Sequence, residues 1–143
     1  EYKILIRRAP LTLHKNRYWH LNRPQNTNMM KTGARFLVGT HDFTTFRSSI
    51  CQANSPVKTM DRISITERKM TNGQQICIEF KARSFLHNQV RSLVGSLEKV
   101  GSNKWIPKHI EFILNSKDRT QCGALAPPDG LYLKEIKYKN QLF

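Results

Sequence analysis

The chain has 143 residues, 38% of them hydrophobic and 24% charged, a size that buries one core without metal or disulfide staples. Its apolar runs are too short for a membrane span, and its opening, EYKILIRRAP, lacks the apolar core of a signal peptide; the chain reads as soluble and not exported. Lysine and arginine number 24 against 10 acidic residues, giving a formal charge of +14, which makes a polyanion the natural partner.

Residues Tyr2 to Arg7 alternate loosely and predict a strand, so the chain opens inside an element without an initiator Met. It is read as part of a longer polypeptide. The basic stretch Arg8 to Arg23, with Tyr18 and Trp19 but no sustained period, predicts a long loop. Met29, Met30, Ala34, Phe36 and Leu37 suit a helix from about Asn26 to Val38, closed by Gly39, and Thr40 to Ser49 reads as loop.

Alternation at Met60 to Thr66 and again at Gln75 to Arg83, with Asn72-Gly73 between them, predicts a β-hairpin. Leu86, Val90, Leu93, Val94, Leu97 and Val100 recur at helical spacing, predicting a helix from Phe85 to Val100 stopped by Gly101. Pro107 starts a second helix with Ile110, Ile113 and Leu114 as its buried stripe. Asp118 to Gly130 reads as loop and Leu131 to Tyr138 as a closing strand.

The order predicts an α+β domain, a mixed, mainly antiparallel sheet with helices packed on one face. Cys51, Cys77 and Cys122 are odd in number and lack CxxC spacing, which argues against a disulfide framework and a zinc site. Each reads as a small buried or half-buried residue. The basic residues are interspersed with apolar and aromatic positions from Lys3 to Lys139, placing the charge on a folded surface.

Four segments in order carry a resemblance: Tyr2-Lys3, GTHDFTTFR at Gly39 to Arg47, FLHNQVRSLVGS at Phe85 to Ser96, and APPDGLYL at Ala126 to Leu133. Together they resemble the C-terminal half of bacterial tRNA pseudouridine synthases of the TruA family. The resemblance covers nearly the whole chain, residues 1–143, and implies half of the pseudouridine synthase fold, with the N-terminal domain absent from the chain. It implies an isomerase of uridine to pseudouridine at positions 38–40 of the tRNA anticodon arm, cytoplasmic, homodimeric, and without metal or organic cofactor. The family's essential aspartate lies in a Gly-Arg-Thr-Asp motif, which this sequence does not contain.

Asp42, Asp61, Asp118 and Asp129 match family positions outside that motif, so the nucleophilic Asp is expected outside this chain and the fragment is expected to be inactive alone. By resemblance Arg91 is the arginine that pairs with that aspartate. Its planar fork grips a carboxylate through two hydrogen bonds. Tyr2 matches the tyrosine that stacks on the target base or relays the proton from C5, although residues of its type in strands commonly pack in cores. Leu131 matches an apolar residue that floors the base pocket.

Candidate RNA contacts are His87 and Asn88, within a turn of Arg91, which reach phosphate or base or else form a solvated polar face. Phe43, Phe46 and Arg47 form an aromatic and basic loop that stacks bases or is simply anchored by its two phenylalanines. The basic residues from Arg7 to Arg23 are expected to track the phosphate backbone. A non-catalytic RNA-binding module and a dimerisation module are the alternatives.

Overall fold

The structure, a computed structural model, describes residues 1–50 and 53–139, so Cys51 lies outside the described residues. Five strands form one sheet in the order β2-β1-β5-β4-β3. They are β1 (Tyr2–Ile6), β2 (Trp19–Leu21), β3 (Gly39–Asp42), β4 (Val57–Met70) and β5 (Gly73–Ala82). All pairings are antiparallel except β1 with β2. The hairpin β4–β5 turns at Thr71-Asn72, just ahead of the glycine that opens β5, and its register sets Ile65 opposite Ile78.

In β1 the same register sets Tyr2 opposite Ile78 and Ile4 opposite Ile76, so one row of buried side chains crosses three strands. Three helices of the described residues cover that face: α1 (Thr27–Arg35), α2 (Gln89–Gly101) and α3 (His109–Ser116). The core joins Tyr2, Ile4, Ile76 and Ile78 of the sheet to Met30, Leu93, Val94, Leu97, Ile110 and Ile113 of the helices. Helix α1 is capped by Asn26, whose side-chain oxygen accepts from the Met29 amide at 3.1 Å. On α2 the buried Glu98 accepts two hydrogen bonds from Arg23, at 2.9 and 3.2 Å, and so tethers the β2–α1 connection. No helix of the described residues is long and apolar enough to cross a membrane.

Several boundaries differ from the sequence expectation. Trp19–Leu21, read as loop, forms a short parallel edge strand, too brief to show a period. The first helix ends at Arg35, and Gly39, at φ 105°, opens β3 instead of capping the helix. The region read as loop after it holds β3 and a 3-10 turn, Thr44–Phe46. Helix α2 begins at Gln89 and not at Phe85, because Asn88 adopts the left-handed conformation at φ 60° and cannot continue a helix backward. Helix α3 likewise begins beyond Pro107, at His109.

The closing strand is absent among the described residues. Leu131 to Tyr138 forms a single bridge, Tyr2 with Leu131. Alternating residues give a segment the capacity to pair, but a ladder needs a neighbouring strand along its length. Leu133 and Tyr138 are accordingly about four-fifths exposed, at 80% and 78%.

Candidate active site

Helix α2 is the platform of the site. Its apolar stripe is buried from Leu93 to Val100, while Arg91, near its start, is half-buried. The Arg91 guanidinium is held at two points: Nε donates to the Ala126 carbonyl at 2.7 Å and Nη1 donates to Asn88 Oδ1 at 3.3 Å. The Ala126 amide returns a bond to the Arg91 carbonyl at 3.1 Å.

The segment bearing Ala126 can lie this close to α2 because residue 95 is glycine. A Cβ there would stand 1.7 Å from the Ala124 carbonyl oxygen, an impossible contact. The Gly123 amide donates to Ser96 Oγ at 3.0 Å and fastens the same segment one turn further along.

Tyr2 reaches the neighbouring carbonyl of that segment. Its hydroxyl donates to Pro127 O at 2.5 Å, so adjacent residues, Ala126 and Pro127, hold the arginine and the phenol. Tyr2 is 0% exposed: Trp19 meets it edge-on at 6.3 Å between ring centroids, and the Pro128–Gly130 turn covers it. Any side chain at Gly130 would fall 2.7 Å from the ring. Burial pushes the Tyr2 phenol above the usual phenol range; the Arg91 guanidinium opposes the shift and Asp129 adds to it. The phenol is therefore neutral and a donor at physiological pH. With the 128–130 turn in place, its ring has no open face on which a base can stack.

Leu131, bridged to Tyr2, is 41% exposed and presents apolar surface at the rim of this arrangement. Tyr2 and Arg91 thus meet on the Ala126–Leu131 segment, which carries Leu131 itself, and Asn88 joins them through Arg91. Among the described residues no carboxylate forms an ion pair with Arg91.

The other sequence-derived contacts separate. Phe43 and Phe46 are both 0% exposed and belong to the core, with Thr45 Oγ1 bonded to the Ile113 carbonyl at 2.6 Å. They anchor the loop and cannot stack bases from this position, which corrects that half of the expectation. Arg47 is half-buried at the end of the same turn. His87 is exposed, and its carbonyl accepts from the Ser48 amide at 3.1 Å, joining the loop to the start of α2.

Two of the four aspartates are spent on local turns. Asp42 accepts from the Thr44 amide and hydroxyl, and Asp118 accepts from those of Thr120. Burial opposes ionisation of Asp42, but the Thr44 hydrogen bonds, Lys117 and Arg47 outweigh it and hold the carboxyl below its ordinary value.

Glu1, Cys77 and Glu79 lie close enough to share a metal ion. Lys134 is bonded to Glu79, however, and burial with the nearby Glu1 pushes the Cys77 thiol up to about 11, so the trio is poorly suited to a cation. The carbonyls of Ala126 and Pro127 were not singled out from sequence. Their only trace there is the Ala-Pro-Pro-Asp-Gly run, because backbone acceptors leave no residue-type signal.

A family model described as tRNA pseudouridine synthase matches residues 34–139. The tRNA pseudouridine synthase A of Dinoroseobacter shibae is 46% identical over 142 residues, covering 99% of this chain and 55% of that relative. The proteins of that name from Jannaschia and Parvibaculum lavamentivorans are 48% and 50% identical, over 99% and 96% of this chain and 54% of each relative. The chain spans about half the length of the curated relatives it matches.

Proposed function

The chain belongs to the tRNA pseudouridine synthase family, and from that premise we propose that it is the C-terminal half of an enzyme converting uridine to pseudouridine at positions 38–40 of the tRNA anticodon arm. The catalytic aspartate would come from an N-terminal half outside this chain. The reading includes tRNA as partner, a cytoplasmic homodimer, and no metal or cofactor.

One observation carries it: Arg91 is clamped by the Ala126 carbonyl and Asn88 beside Tyr2, with no carboxylate of the described residues as its ion-pair partner. A guanidinium held this way is a preformed dock for a carboxylate. The reaction breaks the bond from base N1 to ribose C1′, turns the detached uracil, forms the bond from C5 to C1′ and removes the C5 proton while N1 takes one up, so the product is an isomer of the substrate.

Arg91 orients the incoming aspartate as nucleophile or base. Leu131 offers apolar surface to the uracil ring. Tyr2 aligns the Pro127 carbonyl from beneath, and its neutral hydroxyl lies within the field of the guanidinium; direct contact with the base requires the 128–130 turn to open. Arg47, His87 and the basic residues from Arg7 to Arg23 contact the RNA backbone, where only positive charge at the right place is needed.

The test measures tritium released from C5-labelled uridine in an anticodon stem-loop. The 143-residue chain alone should release none, and the chain joined to an N-terminal half bearing the aspartate should release it. Turnover by the pure chain would place the nucleophile inside it. A joined protein that folds and binds the stem-loop yet stays inert would exclude the enzyme.

A further inference from the structure

Asn88 occupies the N-cap position of α2 without doing an N-cap's work. A capping asparagine has extended backbone and accepts from an amide one turn into its helix. Asn88 is instead left-handed, at φ 60° and ψ 8°, and its side chain caps nothing. Its carboxamide oxygen accepts from Arg91 Nη1 at 3.3 Å. That partner atom is settled by chemistry: a guanidinium has only donors, so the amide must present its oxygen.

The left-handed backbone directs the carboxamide away from the helix amides and toward the arginine. We propose that Asn88 is a positioning residue that sets the plane of the Arg91 guanidinium for an incoming carboxylate, an inference that rests on the reading of Arg91 above.

A single hydrogen bond from Nε lets the planar guanidinium pivot on that contact and lets Nη1 and Nη2 exchange by hindered rotation about the partly double Nε–Cζ bond, and the second contact opposes both motions. With Nε committed to Ala126, a carboxylate cannot grip the side made by Nε and Nη2. A two-point grip then falls to the terminal edge, Nη1 with Nη2, where Nη1 uses the hydrogen it does not give to Asn88. The neutrality of the amide matters as well. An aspartate at position 88 would keep the acceptor and tolerate the left-handed backbone, but it would pair with Arg91 itself and compete with the catalytic carboxylate.

Two variants separate orientation from structure. Asn88→Gly keeps the backbone and deletes the carboxamide; Asn88→Asp keeps the oxygen and adds charge. In the 143-residue chain, nitrogen-15 NMR of the Arg91 side chain should show faster Nε–Cζ rotation in Asn88→Gly while the Nε proton stays protected. In the joined protein, Asn88→Gly should lower kcat about five- to twentyfold with KM within about twofold. Asn88→Asp should lower it further.

Wild-type rotation in Asn88→Gly, or an Asn88→Asp enzyme at least as fast as Asn88→Gly, overturns the proposal. If Arg91→Ala is inactive while both Asn88 variants run at the wild-type rate, this inference alone is wrong. If Arg91→Ala runs at the wild-type rate, the underlying reading of Arg91 is wrong.

Discussion

Gly33 and Gly95 both lie inside helices, and helix propensity alone predicts that alanine at either position stabilises the protein by about 1 kcal/mol. The surroundings reverse this at one of them. At Gly33 the new Cβ would stand 3.2 Å from Ile110 Cγ1, a side-chain atom that can give by a few tenths of an ångström. Gly33→Ala should therefore lie between neutral and about 1 kcal/mol stabilising.

At Gly95 the Cβ would stand 1.7 Å from the Ala124 carbonyl oxygen and 2.9 Å from its carbon, so backbone must move by more than an ångström. That displacement breaks the bonds from Gly123 to Ser96, from the Ala126 amide to Arg91 O and from Arg91 Nε to Ala126 O. With neutral hydrogen bonds worth about 1 kcal/mol and charged ones about 2, the loss is about 4 kcal/mol, and the propensity gain of about 1 leaves Gly95→Ala about 3 kcal/mol destabilised. At about 2 kcal/mol per molar urea, this shifts the unfolding midpoint down by about 1.5 M. Equal midpoints for the two alanine variants would show that residues 123–126 do not lie on α2.

The anchoring role of the Phe43–Arg47 turn predicts that Phe46→Leu, which fills most of the buried volume without an aromatic face, leaves stem-loop affinity within about twofold. A loss of fivefold or more, the size expected when a base loses its stacking partner, would revive direct contact. Arg47→Ala should weaken binding and lower the salt slope by about one; an unchanged slope removes Arg47 from the RNA interface.

The Cys77 thiol, pushed up to about 11 by burial and by Glu1, should alkylate with iodoacetamide about a hundredfold slower at pH 8 than a thiol of ordinary pKa 9, in a Cys51→Ser, Cys122→Ser background. The native state keeps its proton while the unfolded thiol ionises, so this group's stabilising contribution is complete below about pH 8 and declines as pH rises toward 11. Alkylation at the rate of an unperturbed thiol would refute the burial of Cys77 beside Glu1.

Periodicity in the sequence exposes what each element can do alone. The apolar spacing in α2 and the Asn72-Gly73 hairpin signal are local, and both elements form near where their residues predict them, with shifted ends and a turn one residue early, at Thr71-Asn72. What depends on a neighbour is invisible there. Leu131 to Tyr138 alternates like a strand yet finds one bridge, and Trp19–Leu21 is a strand only because β1 lies beside it.

The site divides in the same way. The resemblance drew attention to Arg91, Tyr2 and Leu131, and the fold brings them to one segment. The acceptors that hold the first two are peptide carbonyls of Ala126 and Pro127, which no side-chain pattern records. Phe43 and Phe46 looked like a stacking loop because exposure is not encoded in residue type. The core has claimed both rings.

Arg91 is proposed to meet a carboxylate in the reacting state. The most direct measurement is therefore the single-turnover rate of pseudouridine formation, beside stem-loop affinity, for Arg91→Ala in the joined protein. An oriented carboxylate is worth most in the transition state, so the rate should fall about a hundredfold or more with affinity changed by less than about threefold. Parallel losses in rate and affinity would make Arg91 a phosphate contact.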